Sequence, residues 1–267
     1  MSDNPQAILQ VTNLFARRGS AIILDHLNWR VNQGEHWVIL GANGAGKTSL
    51  LNAITGYLAP FQGEVKLLGY TYGKTDWREV RREIGMVTSR MREHIPDSET
   101  ALEVVISGIH AMLGYWGDLP PNEIELSTHQ LQALGLDHLT YRRWETFSQG
   151  ERQKLLIARA LINNPRLLIL DESCSGLDPI ARAEFLSFID KLASGNSAPT
   201  IITVTHHVEE ITASTTHALL LKSARAHAAG PIEGVLNAEN LSTIYKHPVS
   251  VEKLANGTWT AQVLPSA

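Results

Sequence analysis

The sequence predicts an α/β protein: a mostly parallel sheet with helical crossovers, an antiparallel β flap before it and a helical subdomain inserted in it. Three observations carry that expectation. The apolar run Trp37-Val38-Ile39-Leu40 reads as a buried strand and leads into Gly41-Ala42-Asn43-Gly44-Ala45-Gly46-Lys47-Thr48, which fits the phosphate-loop pattern G-x-x-x-x-G-K-[ST]. Two further apolar runs, residues 167–170 and 201–205, end in Asp171-Glu172 and in His206. A helical pattern over residues 181–192 lies between them. Parallel strands joined by helices gather such polar ends along one edge, so Gly41, Ser89, Asp171, Glu172 and His206 are expected to converge.

Taken in order, residues 7–11, 22–24 and 27–31 read as short strands of the flap, with turns at Gly19 and Asn32-Gln33-Gly34. Ser49-Leu50-Leu51-Asn52-Ala53-Ile54 opens a helix after the phosphate loop, and strand, loop, helix is the context the motif requires. Pro60-Phe61-Gln62-Gly63 is a turn, residues 64–68 a strand, 76–81 the start of a polar helix and 84–87 a short buried strand. From 90 to 160 the apolar period becomes helical, in 100–106 and 124–134, with Gly114–Pro121 as a loop between and Trp116 read as loop packing. The helix over 151–162 ends at Asn164-Pro165. Beyond about residue 231 a short tail with a hairpin at Asn256-Gly257 is expected to pack on or beside the core.

Composition narrows the function. A net charge of −4 offers no basic field for nucleic acid, so none is expected as a partner. The pairs Arg81-Arg82 and Arg142-Arg143 read as solvated faces. A single cysteine, Cys174, excludes an internal disulfide and reads as a packed small residue. Nine of the eleven histidines lack ligand spacing, and His207, beside His206, reads as exposed. Residues 1–5 carry no basic-then-apolar signal, and no apolar run approaches the roughly 18 residues of a membrane span. Any membrane role would need another chain to do the spanning.

The phosphate loop has a direct physical reading. Its glycines let the backbone curl so that several N–H groups face one anion, and the following helix adds the positive end of its dipole. Lys47 brings a full charge to the β/γ-phosphates, and Thr48 offers a hydroxyl to Mg²⁺. Asp171, ending an apolar strand, is suited to the same Mg²⁺. Glu172, one residue on and so pointing in a different direction along the strand, is suited to polarise the attacking water.

Phe147-Ser148-Gln149-Gly150-Glu151 resembles the signature motif of ABC-type ATPases, usually Leu-Ser-Gly-Gly-Gln, with Ser148 and Gly150 matching. Ser175-Gly176-Leu177-Asp178 resembles that family's D-loop, and His206 its H-loop. The resemblance covers about residues 7–235, in the family's order, and is nearest in flavour to single-cassette ATP-binding subunits of bacterial molybdate- or iron-type importers. It implies a P-loop NTPase core over 7–235, a helical subdomain at about 90–160, and 236–267 as a short tail. It implies ATP and Mg²⁺ as ligands, with Gly41 through Thr48 and Ser49 on the nucleotide. Thr48, Asp171 and Ser89 fall at the metal, and Glu172 and His206 in catalysis. It implies a homodimer or paired subunit in which Ser148, Gly150 and Asp178 reach the other subunit's ATP. It also implies integral-membrane transporter subunits, at the cytoplasmic face of the inner membrane. The alternative within the family is a soluble ATPase with a regulatory or translation-related role.

Two positions depart from the family pattern. Ser89 stands where glutamine is usual at the end of the strand 84–87, and a hydroxyl reaches less far, so a bridging water is expected there. Arg18 stands before Gly19 where an aromatic usually stacks on adenine; a guanidinium also stacks on a π-face, and Phe15 is the other candidate.

Overall fold

The structure, a computed structural model, describes residues 6–195 and 197–265; residues 1–5, read above for targeting, lie outside it. The chain forms two compact units: residues up to Arg81 together with those from Asp190 onward, and Arg82–Ile189.

The first unit opens on two long antiparallel strands, β1 (Ala7–Arg18) and β2 (Ala21–Asn32), which turn at Gly19-Ser20. They are longer than the sequence pattern suggests because register shifts break the alternation. Asn13 and His26 take φ of 49° and 51°, and the Asn28 side chain accepts the Asn13 N–H at 2.8 Å. Next come β3 (Trp37–Leu40), α1 (Lys47–Ile54), β4 (Gln62–Leu67), β5 (Tyr70–Thr71) and α2 (Trp77–Arg82). The flap is the antiparallel sheet β2-β1-β4-β5. Every residue of β3 is buried, as a central strand covered on both faces requires.

The second unit contains β6 (Ile84–Thr88), α3 (Ala101–Ile109), α4 (Pro121–Ala133), α5 (Gln149–Leu161), β7 (Leu167–Asp171) and α6 (Pro179–Ala193), whose last turn passes the division. β6 and β7 pair in parallel, with Thr88 opposite Asp171. Its helices begin on strong local signals. Thr100 with Glu103, and Ser148 with Glu151, form reciprocal capping boxes, and Pro121 sits in the first turn of α4. Trp116 is 81% exposed, which corrects its reading as loop packing.

Back in the first unit run β8 (Thr200–Val204), β9 (His217–Lys222), β10 (Arg225–Pro231), α7 (Ile232–Val235), α8 (Ala238–Tyr245), β11 (Val249–Lys253) and β12 (Trp259–Val263). β3 lies between β8 and β9 and is parallel to both, while β10 returns antiparallel along β9. Leu241, Ile244, Val249 and Trp259 join Val38 and Leu40 in one buried cluster. At roughly 1.5–3 kcal/mol for each large apolar side chain removed from water, that burial holds the final helix and hairpin on the sheet. Among the described residues no helix is long and apolar enough to cross a membrane.

Candidate active site

In the first unit, β3 delivers the chain into the phosphate loop at Gly41. A Cβ there would lie 2.7 Å from the Leu221 carbonyl oxygen, so the buried strand end excludes a side chain. Gly46 stands just before α1 at φ 108°, a conformation L residues avoid. The loop is tied down by its own backbone: Ala45 N–H bonds Ala42 O at 3.1 Å, and Ala224 N–H bonds Ala45 O at 3.0 Å. Asn43, Gly44 and Thr48 are exposed, and Ser49 is half-buried. Lys47 is folded along the loop, 7% exposed, with Nζ donating to Gly41 O at 2.7 Å and Ala42 O at 3.3 Å. α3, α4 and α5 each carry a glutamate in the first turn, whereas α1 carries no acidic residue there. Its positive end, with a lysine beside it, is left to an external anion. These features fit a polyphosphate.

His206 follows β8 and is exposed, as is His207; their rings lie 4.1 Å apart. The turn is braced from two sides. Thr205 Oγ1 donates to the buried Glu210 carboxylate at 2.5 Å and accepts the His207 N–H at 3.0 Å. Tyr245, at the end of α8, donates its hydroxyl to the His206 carbonyl at 3.2 Å. Burial, followed by Glu209, pushes the Tyr245 phenol up to about 12, so it remains a neutral donor. At the flap, Arg18 is exposed, while Phe15 packs between His26 and Phe61 at 5.2 and 6.0 Å. The neighbouring Arg17, not Arg18, lies over an aromatic ring, 4.2 Å from the centroid of Phe61.

In the second unit, β7 ends at Asp171, so strand alternation does not reach Glu172. Strand alternation therefore does not determine where Glu172 points, contrary to the sequence reading. Glu172 instead turns the chain at φ 49°, and its carbonyl accepts the Ser175 N–H at 3.1 Å. A glutamate held at positive φ is uncommon, and such strain clusters at functional sites. Cys174 is buried, as expected of a packed small residue. Asp178 caps α6: its carboxylate accepts the N–H groups of Ile180 and Ala181, both at 2.9 Å. Ser89 opens a short 3-10 turn, Ser89–His94.

Ser148 Oγ accepts the Glu151 N–H at 3.2 Å, and the Glu151 carboxylate accepts the Ser148 N–H at 2.7 Å. Burial by itself would raise the Glu151 carboxyl; bonds from Ser148 and the charge of Arg142, 3.0 Å away, hold it below its ordinary value. Gly150 is buried within the first turn. Phe147, where leucine is usual, is core: it meets Trp144 edge-on at 6.2 Å under the Arg142 guanidinium. Arg82, Arg142 and Arg143 are exposed, as read from the sequence, while Arg81 is half-buried over the Tyr57 ring; Arg142 also lies over Phe147. The bonds from Tyr245 and Glu210 to the histidine turn, and those of Arg92, were not signalled by sequence, since each joins residues whose partner is known only once the chain is folded.

Thr48 and Asp171 offer hard oxygen donors. Among the described residues no group of three or more His, Cys, Asp or Glu could cage a metal. A hydroxyl and a carboxylate are each the kind of hard oxygen that Mg²⁺ takes, in ones or twos from protein and otherwise from phosphates and water.

A buried parallel strand running into a lysine-bearing phosphate loop defines a P-loop nucleotide-binding protein. The family profile described as "ABC transporter" matches residues 24–175. An ABC transporter ATP-binding protein of Bacillus subtilis, YlmA, is 41% identical over 245 residues, covering 91% of this chain and 93% of its own. Among solved structures, cbiO1 of Clostridium perfringens, part of the ABC transporter complex cbiONQ, superposes with a TM-score of 0.77 at 25% identity, covering 89% of this chain and 94% of that one. MJ0796, a dimeric ABC transporter cassette, superposes with a TM-score of 0.69 at 24% identity over 84% of this chain and 98% of that one. The chain belongs to the ABC transporter family and is an ATP-binding cassette of the kind that hydrolyses ATP.

Proposed function

We propose that this chain drives a membrane transporter: two copies, or a copy and a paired ATPase subunit, close on two ATP molecules, and hydrolysis reopens them. Residues 7–235 form the ATP-binding domain and 236–267 an appended tail. Gly41 through Ser49 bind the phosphates, with Lys47 neutralising β/γ charge. Thr48 and Asp171, with Ser89, would hold Mg²⁺, which would offset phosphate charge. Glu172 orients the attacking water and His206 bonds the γ-phosphate. Ser148 and Gly150 receive the other subunit's γ-phosphate. Asp178 acts there through the turn it caps, and adenine lies against Arg18 or Phe15. The chain works at the cytoplasmic face of the membrane beside separate spanning subunits.

The observation that carries this reading is the second helix N-terminus. Ser148 caps α5 while the side chain stays exposed, so its hydroxyl hydrogen can turn to an arriving phosphate. One nucleotide needs a single cradle, and a second is explained by closure on a partner's ATP. The relatives' names and the dimeric cassette MJ0796 support the same reading. The test is capture of the tagged chain from membranes in mild detergent, combined with cross-linking of a Ser148→Cys variant to a cysteine in the partner's phosphate loop. A co-purifying multi-spanning protein and an ATP-dependent intersubunit cross-link are expected. A chain recovered alone, cross-linking only within one subunit, would refute it.

A further inference from the structure

Two of the departures from the family pattern in the second unit meet on one side chain. Where the signature motif usually has glycine this chain has Gln149, and where the strand end usually has glutamine it has Ser89. Arg92, in the 3-10 turn that Ser89 opens, touches both. Its Nε donates to the Ser89 carbonyl at 3.3 Å, its Nη1 to Gln149 Oε1 at 2.8 Å and its Nη2 to the Ser175 carbonyl at 2.7 Å. One planar fork thus fixes the turn it stands in to two others, at the start of α5 and at the bend that follows Glu172. We propose that Arg92 is a positioning residue for ATP hydrolysis. Through Gln149 it locks the signature turn, and through the Ser175 carbonyl the Ser175–Gly176 turn, to the segment carrying Ser89.

The geometry favours this over an incidental surface contact. An exposed pair between two flexible side chains contributes little, because ordering them costs entropy. Here two of the three acceptors are backbone carbonyls, already fixed, and the guanidinium presents its donors in one rigid plane. The same residues open onto a polar cleft of about 630 Å³ lined by Ser89, Arg92, Trp144, Gln149, Arg152 and Gly176. Arg92 is half-buried, and burial lowers its pKa against the opposing charge of Glu93, with the like charge of Arg152 adding to the lowering. Lysine carries its three donors on one nitrogen, so it cannot reach acceptors that here are met by three separate nitrogens of a planar guanidinium.

The proposal rests on the ATPase reading and is tested on the full chain. ATP turnover is measured across ATP concentrations for wild type, Arg92→Ala, Arg92→Lys, Gln149→Ala and the double variant, with thermal unfolding alongside. Arg92→Ala is expected to lower kcat roughly tenfold, as loss of a charge-assisted hydrogen bond would, with KM for ATP little changed. Gln149→Ala should act in the same direction and the double variant should be no worse than Arg92→Ala, because both remove one linkage. Arg92→Lys should not rescue, and free guanidinium ion should partly restore Arg92→Ala. Wild-type kcat in both single variants, or effects that simply add, would overturn the positioning role, and a lowered melting temperature alone would assign Arg92 to stability. No turnover in wild type would overturn the ATPase reading itself and this proposal with it.

Discussion

Lys47 is the residue on which the nucleotide reading can be tested most sharply. Its ammonium is 7% exposed and already aligned, at 2.7 and 3.3 Å from the first two carbonyls of the loop. An arriving polyphosphate therefore meets a charge that has been desolvated and ordered in advance. Replacing it with methionine keeps most of the stem that packs along the loop and removes only the charge. A charge-assisted hydrogen bond contributes about 1.5–3 kcal/mol. A unit charge pair near 4 Å at an effective dielectric of 20 interacts by about 4 kcal/mol before desolvation is subtracted. A net loss near 3 kcal/mol follows, which weakens ATP binding by roughly a hundredfold. The fold should survive. The loop carbonyls lose a donor worth about 1 kcal/mol, and in a chain of this size that lowers the melting temperature by only about 2–4 °C. Calorimetric titration with a slowly hydrolysed ATP analogue reads the affinity, and thermal unfolding without nucleotide reads the stability. A Lys47→Met protein that binds the analogue within about twofold of wild type would refute the assignment. A protein that loses affinity only because it is unfolded would show the larger effect in the second measurement.

The remaining expectations are narrower. Glu172→Gln should retain ATP binding while turnover falls by roughly 10²–10⁴-fold, the range for loss of a general base; turnover at the wild-type rate would remove Glu172 from catalysis. Tyr245→Phe deletes the hydroxyl that holds the His206 carbonyl at 3.2 Å. A loss of about 0.5–1.5 kcal/mol should appear as a two- to tenfold fall in kcat, roughly, with KM for ATP unchanged; an unaltered kcat would mean that the tail does not support the histidine turn. Glu99, 6% exposed, has its carboxyl pushed above the ordinary 4.5 by burial, opposed by the Tyr115 N–H. Because its folded-state value is raised, its contribution to stability is fully present below that ordinary value and is lost as pH rises through the folded-state value. Glu99→Gln should therefore unfold with a melting temperature that gains on wild type as pH rises through that window, and parallel curves for the two proteins would contradict this.

The sequence makes the residues that must contact phosphate legible because their chemistry is local. Glycine spacing, a lysine and a strand run together over twelve consecutive residues, 37–48, and the helix starts at Thr100 and Ser148 are written within four. Even the two long flap strands were visible, though cut short, because the bulges at Asn13 and His26 disturb alternation without changing composition. β10 is hidden for a related reason: it alternates small residues with Arg225 and His227, a pattern that carries no strong strand signal by itself. What no local pattern conveys is how a catalytic side chain is aimed. Glu172 reads from the sequence as the next step of a strand, whereas it is the residue at which the strand stops and the backbone turns left-handed. Its backbone belongs to the bend that follows, which Arg92 grips at the Ser175 carbonyl. The His206 turn is set likewise, by Glu210 through Thr205 and by Tyr245. Both catalytic candidates therefore depend on side chains that no motif contains. Variation at Arg92, Gln149 and Tyr245 should for that reason change the rate of hydrolysis while the phosphate loop still binds its nucleotide.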